Sequence, residues 1–182
     1  MGTVMEAQNG YAVEKLEIGS VIVGYRDGKV AAILLGDATA DVRRQLDERF
    51  PDIALSGPCR DSHGVARKLA ASILGEDLHF DIPVDVAGTP FQKAVWNAIR
   101  SIPHGRTETY AQIAEKIGHP KSVRAVASAC GANPLAVFTP CHRVVRADGK
   151  STGYAWGMDR KRAILQLERQ ARRQNYSGTP HV

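Results

Sequence analysis

Two helix-start signals of the same kind constrain the fold of this chain more than any other feature of its sequence. Each pairs a threonine with a glutamine three residues later, in Thr89-Pro90-Phe91-Gln92 and in Thr109-Tyr110-Ala111-Gln112. In such a capping box the two side chains bind backbone N–H groups that the first helical turn leaves unpaired. Proline also suits the first helical position. The pattern predicts two helices here, the first of which ends before Pro103.

The second of these helices and the next one form a predicted helix-turn-helix. Residues 109–117 carry apolar side chains on one face, and Gly118-His119-Pro120 makes a short connection. A further helix is predicted at residues 121–131. Its inner face is predicted to hold Val123, Val126, Ala127 and Cys130, and its outer face Lys121, Arg124, Ala125, Ser128 and Ala129. Small outward side chains would let a partner approach closely, although alanine is also common where a helix packs against its own protein.

The first half of the chain has the pattern of a small sheet followed by helices. Three strands are predicted at residues 11–17, 20–25 and 30–35. Asp27-Gly28 predicts a tight turn between the last two strands. Two helices are predicted to follow, one capped by Thr39 and the other by Asp61 or Ser62, and residues 78–86 are predicted to be extended. The inward residues of the two helices are predicted to be Val42, Leu46, Phe50, Val65, Leu69 and Ile73.

Length and composition predict one globular domain or two small ones. The chain has 182 residues, of which 43% are hydrophobic and 24% charged, as in an ordinary globular protein. We expect domains at residues 1–87 and 88–172, followed by a flexible tail at 173–182. The longest uncharged segment, residues 125–142, is interrupted by glycine and proline and cannot span a membrane. Because the chain starts without a basic segment followed by an apolar block, we expect it to be cytoplasmic. Met1 and a short polar lead favour a free-standing protein, and a piece of a longer chain is the alternative.

Charge is divided unequally along the chain. Residues 1–87 hold 9 Lys and Arg against 14 Asp and Glu, whereas residues 88–182 hold 15 against 5, giving net charges of −5 and +10. Lys and Arg gain free energy by displacing counterions from phosphates, so the second half is predicted to bind a polyanion. A basic face that only interacts with solvent is the alternative.

Neither a metal site nor a cofactor is expected. Cys59, Cys130 and Cys141 form no C-x-x-C pair, and their odd number argues against a disulfide framework. Cys59 with His63 and His79 does not make a convincing set of ligands.

Chemistry is expected at the segment Pro140-Cys141-His142-Arg143. It places a thiol after an apolar run and beside an imidazole and two guanidinium groups, those of Arg143 and Arg146. Such neighbours favour the thiolate, the reactive form of cysteine. Adjacent side chains are poorly placed for a direct hydrogen bond, so a water is the expected proton carrier between Cys141 and His142. An inert buried cysteine is the alternative.

Two further polar residues are candidates for the same site. Glu168 borders the apolar stripe of a helix predicted at residues 161–172, where a carboxylate needs a partner. A surface ion pair with Lys161 or Arg172 is the alternative. Asn133 precedes a proline and can satisfy backbone groups in a tight turn.

Together these motifs resemble those of the O6-alkylguanine-DNA alkyltransferases, or methylated-DNA–protein-cysteine methyltransferases, most closely the repair half of bacterial adaptive-response proteins. The matching segments are 109–114, 121–126, Asn133-Pro134, Pro140-Cys141-His142-Arg143-Val144-Val145, 153–157 and Leu167-Glu168. The likeness is strong over residues 88–169 and looser over residues 10–87. It implies an α/β (α+β) fold, with a small ribonuclease-H-like N-terminal sheet domain and a mostly helical, winged-helix-like C-terminal domain that contains the helix-turn-helix.

The resemblance implies an irreversible reaction. A methyl or larger alkyl group would move from O6 of guanine, or from O4 of thymine, to the protein's own cysteine. Each molecule would react once, after the damaged base has been flipped out of the stack. The implied partner is double-stranded DNA containing O6-alkylguanine, bound by a monomer, with no membrane involved.

Individual roles follow from the same resemblance. Cys141 would accept the alkyl group, His142 would take the thiol proton through a water, and Glu168 would orient the imidazole. Asn133 would brace the cysteine loop, and Tyr110 would donate a proton towards guanine. The implied DNA-binding residues are Arg124, as the finger that fills the space left by the base, with Tyr110, Lys121, Ser122, Ala125, Ala129 and Arg143. The implied lining of the base pocket is Pro140, Val144, Tyr154 and Ala155.

Three other functions fit parts of the sequence. A non-catalytic protein that binds damaged DNA would lack the acceptor cysteine, whereas Cys141 is present. A helix-turn-helix transcription regulator would explain the basic charge but not the Pro-Cys-His-Arg motif. A cysteine hydrolase does not suit a Cys and a His that are neighbours in sequence.

Overall fold

The computed structural model describes residues 9–16, 18–49, 59, 61, 64–74, 82–149 and 153–177, with side chains as far as 174. The strands are β1 (Gly10–Leu16), β2 (Gly19–Arg26), β3 (Lys29–Gly36), β4 (Glu108–Thr109) and β5 (Val144–Val145). The helices are α1 (Thr39–Arg49), α2 (Val65–Ile73), α3 (Pro90–Arg100), α4 (Tyr110–Lys116), α5 (Val123–Gly131) and α6 (Met158–Ser177). The predicted mixture of a small sheet with helices is confirmed. None of the helices in these ranges is long and apolar enough to cross a membrane.

The described residues group into two compact units. The first holds the residues up to Ala70, residues 82–87 and Pro134–Ala136. The second holds residues 71–74, Gly88–Asn133 and residues 137–177. All the residues of the candidate site described below belong to the second unit.

The sheet of the first unit contains β1, β2 and β3 in that order, all antiparallel. Asp27 and Gly28 make the turn between β2 and β3, and both have positive φ, at 49° and 72°. This is the backbone of the tight hairpin turn that an Asp-Gly pair favours. Ile22 on β2 and Ile33 on β3 are fully buried, so the predicted strands and turn are confirmed.

Two further segments pair in parallel with the free edge of β3. The N–H of Ile33 donates to the Pro134 carbonyl at 2.8 Å, and the Ile33 carbonyl accepts from the Ala136 N–H at 2.9 Å. Val30 pairs in the same way with the segment around Val84. The sheet therefore extends beyond its three antiparallel strands.

The two helices that follow the sheet differ in how they begin. Asp61 accepts hydrogen bonds from the amides of Val65 and the next residue, at 2.9 and 3.0 Å, and so caps α2 as predicted. Thr39 does not cap α1, because the first helical bond already runs from the Val42 N–H to the Ala38 carbonyl. The predicted inward residues that are buried are Val42, Leu46, Val65, Leu69 and Ile73. Phe50, Ser62 and residues 78–81 lie outside the described residues.

Both predicted capping boxes are present in the second unit. The Thr89 hydroxyl oxygen accepts from the Gln92 N–H at 3.2 Å, and the Gln92 side chain accepts from the Thr89 N–H at 2.8 Å. Thr109 and Gln112 make the same two bonds, at 3.2 and 2.7 Å. Helices α3 and α4 therefore begin where predicted, and α4 packs against α5 after the short connection 117–122.

The buried face of α5 differs from the predicted one. Its buried residues are Val126, Ala129 and Cys130. Val123 and Ala127 are exposed, although we predicted them to face inward. The helix begins at Val123, later than predicted, and the Trp96 Nε1–H on α3 donates to the Ala129 carbonyl at 2.9 Å, which holds this side of α5 against α3. The prediction of an outward, DNA-facing Ala129 is therefore wrong.

Helix α6 is longer than predicted at both ends. It spans Met158–Ser177 instead of 161–172, so residues 173–177 are helical and not part of a tail. The physical reason is that neither glycine nor proline interrupts the sequence between Gly157 and Gly178. Its buried residues are Lys161, Ile164, Leu165, Glu168 and Ala171. This is the spacing of an amphipathic helix, with two charged side chains on its buried face.

Candidate active site

Cys141 begins a single 3-10 turn, Cys141–Arg143, that follows a buried apolar segment. Its N–H donates to the Thr139 carbonyl at 2.8 Å, its carbonyl accepts from the Val144 N–H, and the residue is 5% exposed. Val137, shortly before the turn, has a φ of 66°. A β-branched residue adopts this left-handed backbone only at a strain of about 1–3 kcal/mol. The thiol therefore lies in a buried turn, and hydrogen bonds at both the N–H and the carbonyl of Cys141 fix its backbone.

Asn133 lies beside this thiol. Its side chain is fully buried, and its Nδ2 donates to the Cys141 Sγ at 3.2 Å and to the Thr139 carbonyl at 2.9 Å. A donor in this position favours a sulfur anion over a neutral thiol, because a hydrogen bond to the charged form stabilises that form. The structure therefore brings Asn133 and Cys141 together in a geometry that suits the predicted bracing role.

His142 and Glu168 form a buried pair. The His142 Nε2 lies 2.8 Å from the Glu168 Oε1, and neither side chain is exposed. Burial lowers the pKa of His142 by more than the hydrogen bond and charge of Glu168 raise it. Burial raises the pKa of Glu168, but hydrogen bonds from His142 and Arg143, together with their charges, outweigh it and lower that pKa to about 2. At neutral pH the pair consists of a neutral imidazole and a carboxylate.

This pairing sets the tautomer of His142. A carboxylate can only accept hydrogen bonds, so the single proton of the neutral ring lies on Nε2, and Nδ1 carries a lone pair. Nδ1 is buried and forms no hydrogen bond within the part of the chain that the structure describes. It is the atom of this ring that can accept a proton.

Arg143 encloses Glu168 from another side. Its Nε and Nη2 donate to the carboxylate at 2.9–3.2 Å, and its Nη1 donates to the Ile102 carbonyl at 2.7 Å. The planar guanidinium fits a carboxylate through two parallel bonds, a match that a point charge cannot make. The side chain is 10% exposed. The structure therefore does not offer Arg143 for the predicted contact with DNA, because its donors are occupied inside the unit.

Gly105 also belongs to this site, although it was not predicted from the sequence. Its N–H donates to the Glu168 Oε2 at 3.2 Å. Its φ is +67°, and an added Cβ would lie 3.0 Å from the Glu168 carbonyl oxygen. Only glycine accommodates both this backbone and this close approach. Pro103 and Gly105 signalled a turn in the sequence, but nothing in them indicated that the turn meets α6.

Lys161 is a second missed residue. It is fully buried, and its Nζ donates to the Val144 carbonyl at 2.7 Å. Burial lowers the pKa of Lys161, while the neighbouring thiols of Cys141 and Cys130 raise it. A surface ion pair between Lys161 and Glu168 is therefore excluded. The seven-residue spacing of Lys161 and Glu168 puts both on one helical face, and this signal could have identified the lysine.

The residues predicted to line a base pocket differ in burial. Pro140 and Val144 are buried, Tyr154 is half-buried and Ala155 is exposed. The Tyr154 ring packs edge-on against His142, with centroids 6.4 Å apart, and burial raises the pKa of Tyr154. The Tyr154 Oη is buried and has no hydrogen-bond partner among the described residues. Tyr154 thus packs its ring against His142, while its buried hydroxyl forms no hydrogen bond with the described residues.

The predicted DNA-contacting residues lie on α4, on α5 and on their connection. Tyr110 is the half-buried first residue of α4, and β4 just before it pairs in parallel with β5, which follows the cysteine turn. This pairing was not predicted, and it places the start of α4 next to that turn. Lys121, Arg124 and Ala125 are exposed, whereas Ser122 is half-buried and immediately precedes α5.

Within the described ranges, no group of three or more His, Cys, Asp or Glu side chains could hold a metal ion. Of the three residues weighed above, Cys59 is described, while His63 and His79 lie outside those ranges. The expectation of no metal stays a prediction.

Known proteins match this chain over most of its length. Residues 90–170 match the family model of the 6-O-methylguanine DNA methyltransferase, DNA binding domain. The bifunctional transcriptional activator/DNA repair enzyme Ada of Escherichia coli is 45% identical over 160 residues, which cover 87% of this chain but 45% of Ada. The inducible methylated-DNA–protein-cysteine methyltransferase of Bacillus subtilis is 42% identical over 124 residues, covering 68% of this chain and 69% of that protein.

Solved structures match both units. The Mycobacterium tuberculosis O6-methylguanine methyltransferase gives a TM-score of 0.75 at 35% identity, covering 90% of this chain and 94% of that one. Mycobacterium tuberculosis OGT in complex with DNA gives 0.74 at 35% identity, with 89% and 94% covered. The chain spans less than half the length of Ada but nearly all of the solved chains.

Proposed function

Because the chain belongs to the family of O6-methylguanine DNA methyltransferases, we propose that it repairs DNA directly, as a methylated-DNA–protein-cysteine S-methyltransferase whose acceptor is Cys141. The observation that carries this proposal is the buried arrangement in which Asn133 donates to the Cys141 Sγ while Glu168 holds His142. The proposed acceptor, Cys141, and the proposed base, His142, lie in the same unit. The proposed reaction uses no cofactor.

The thiol must lose its proton before it can attack the alkyl carbon. His142 Nδ1 takes this proton through a water, while the Nε2–H of the same ring continues to donate a hydrogen bond to the Glu168 carboxylate. The thiolate Sγ forms a bond to the alkyl carbon as the bond from that carbon to guanine O6 breaks. The electron pair leaves with the base, which gains a proton, and Tyr110 is the proposed donor. The product is a stable thioether on Cys141, so each molecule reacts once.

Double-stranded DNA containing O6-alkylguanine is the proposed partner, with O4-alkylthymine as a second substrate. The alkyl group lies within the base stack, so the base must leave the stack to meet the thiol. Arg124 is proposed to fill the space that the base leaves, with α5 in the minor groove. The same surface includes Tyr110, Lys121, Ser122 and Ala125, and the proposed base pocket comprises Pro140, Val144, Tyr154 and Ala155. Ala129 and Arg143 are left out of this surface because both are buried.

The finer architecture is also a proposal. A ribonuclease-H-like domain at residues 1–87 is supported by the antiparallel sheet β1–β3 and its parallel extension at Val84. A winged-helix-like domain at residues 88–172 is supported by α4, α5 and the short β4–β5 pair. We propose that the protein acts as a monomer in the cytoplasm.

Peptide mass spectrometry after mixing with a duplex that contains one O6-methylguanine tests the proposed reaction. We expect one added methyl group per protein, on the peptide that contains Cys141, and no further gain with excess duplex. Cys141→Ser should gain nothing, whereas Cys130→Ser, which removes the other buried thiol of the unit, should still be methylated. Tight binding of the duplex without any mass gain would contradict the proposal and indicate a damage-binding protein without repair activity.

A further inference from the structure

A cavity of about 350 Å³ in the second unit is lined by Gly105, Arg169, Arg172 and Arg173. The three arginines are three and four residues apart on α6, so they lie on one side of the helix. Elsewhere on α6, Arg162 pairs with Asp159 at 2.8 Å. Neither Arg169 nor Arg172 has such a carboxylate partner among the described residues. The cavity, named here the arginine cavity, therefore concentrates positive charge.

The chemistry of this lining favours a phosphate group. Guanidinium groups bind the oxygens of phosphates through paired hydrogen bonds, and an array of them is selective for such anions. The volume of about 350 Å³ leaves room for more than an isolated phosphate. This volume has room for a phosphate together with part of its flanking sugars, as in a nucleic-acid backbone.

We propose that the arginine cavity binds the phosphodiester backbone of DNA, at a place separate from the helix pair α4–α5. The inference rests on the proposed function, because DNA is the partner proposed there. The location supports a second contact, because the described residues that line the cavity come from α6 and the Gly105 turn and none of them comes from α4 or α5. Helix α5 carries Arg124 as its one basic residue. A DNA contact through α5 alone would therefore leave most of the positive charge in the second half of the chain without a role.

The lining of the arginine cavity also contacts the turn that binds Glu168, the carboxylate of the proposed proton relay from Cys141 through a water to His142. An added Cβ on Gly105 would lie 3.1 and 3.2 Å from the Cδ and Cβ of Arg172, so this arginine packs directly on the glycine. The N–H of the same glycine donates to Glu168. A backbone phosphate bound here would therefore contact the turn that holds the carboxylate of the relay.

Binding of an unmodified duplex, measured by fluorescence anisotropy over a range of salt concentrations, tests the site without any alkyl transfer. The variants are Arg169→Gln with Arg172→Gln, and Arg162→Gln as a control on the same helix outside the cavity. Each phosphate contact contributes about 0.9 to the slope of log affinity against log salt, so the double variant should lose about 1.8. The control should keep the wild-type slope. A wild-type slope in the double variant would overturn the proposal.

Two additional measurements distinguish loss of the arginine cavity from unfolding of the variant and from failure of the proposed function. Arg169 is exposed, so the single change Arg169→Gln leaves packing intact and should lower the slope by about 0.9. Reaction with free O6-benzylguanine, which needs the thiol but no DNA, should keep its rate in Arg169→Gln and in Arg162→Gln. A wild type that binds no duplex would contradict the proposed function and this inference together, whereas binding with unchanged slopes in the variants contradicts this inference alone.

Inorganic phosphate is the remaining source of such an anion. We expect the arginine Nε–Hε signals of Arg169 and Arg172 in NMR spectra to shift on adding duplex, and to shift little with phosphate at equal concentration of phosphate groups. Shifts with inorganic phosphate that duplex does not reproduce would assign the cavity to a free anion and overturn the DNA assignment.

Discussion

The His142 Nε2 lies 2.8 Å from the Glu168 Oε1, and both side chains are completely buried. The carboxylate also receives hydrogen bonds from Arg143 and from the Gly105 N–H, so it cannot turn towards another partner. The imidazole is consequently held in one orientation and one tautomer. Removing the charge of Glu168 is the most direct test of this arrangement.

Glu168→Gln keeps the size of the side chain but introduces an amide that can donate to the imidazole and reverse its tautomer. We expect the first-order rate of alkyl transfer to fall by about 10²–10⁴, the contribution of a general base. Single-turnover quenched-flow measurements with the O6-methylguanine duplex give this rate. Glu14→Gln, an exposed position on β1, is the control and should react at the wild-type rate. An undiminished rate in Glu168→Gln would remove His142 from the mechanism.

Acid should destabilise the protein through the same pair. The pKa of Glu168 falls from 4.5 to about 2 on folding, so its stabilisation is complete above pH 4.5 and is lost as the pH falls towards 2. The pKa of His142 is also lowered, by burial, so the unfolded state gains protons first and stability declines as the pH falls through 6.5.

Urea denaturation at several pH values measures this loss. Between about pH 5 and pH 3 the wild type should lose about 2 kcal/mol of unfolding free energy that Glu168→Gln does not lose, because the variant lacks this carboxyl group. Parallel stability curves for the two proteins would contradict the lowered pKa of Glu168.

Asn133→Asp replaces the donor to the Cys141 Sγ by a negative charge. A like charge disfavours the thiolate, so the reaction with free O6-benzylguanine should slow down and its pH profile should move to higher pH. Asn97→Asp, at an exposed position on α3, should leave the profile unchanged. Coincident profiles for Asn133→Asp and the wild type would mean that the hydrogen bond to sulfur has no role in the reaction.

Lys161→Met removes a buried positive charge close to two thiols and retains an unbranched stem. A neighbouring cation favours the thiolate, so we expect the pH profile of the same reaction to move to higher pH. Lys93→Met removes an exposed lysine of α3 and serves as the control. If only stability changes in Lys161→Met, the lysine acts solely as the partner of the Val144 carbonyl.

Arg124→Ala should separate base extrusion from chemistry. Unstacking a base costs a few kcal/mol, so losing the side chain that fills its space should slow repair of duplex DNA by about tenfold or more. The reaction with free O6-benzylguanine should keep its rate, because no base needs to be extruded. Arg67→Ala, on the exposed side of α2, should affect neither reaction. A matching loss in both reactions would show damage to the thiol site instead.

Features that depend on a few neighbouring residues were predictable from the sequence. The boxes at Thr89 and Thr109 and the turn at Asp27 each involve groups within three residues of one another. The segment around Cys141 was also readable, because a thiol, an imidazole and a guanidinium are adjacent in the chain. Local chemistry of this kind does not depend on how distant elements pack.

Features that depend on packing between distant elements were not predictable. The face of α5 is turned because Trp96, 33 residues away from Ala129, donates to its carbonyl. The donors of Arg143 bind Glu168 and Ile102, 25 and 41 residues away. A basic side chain next to a reactive cysteine looked available for DNA until its partners were known.

The contact between Glu168 and His142 also has a consequence for the order of events during synthesis of the chain. Glu168 follows His142 by 26 residues and lies on the last helix, while an N-terminal segment folds before the C-terminal one is made. A nascent chain that ends before residue 168 already contains the thiol but lacks the carboxylate that orients its base. We therefore expect a chain that ends before residue 168 to react slowly with alkyl groups, and its reactivity to rise once α6 is complete.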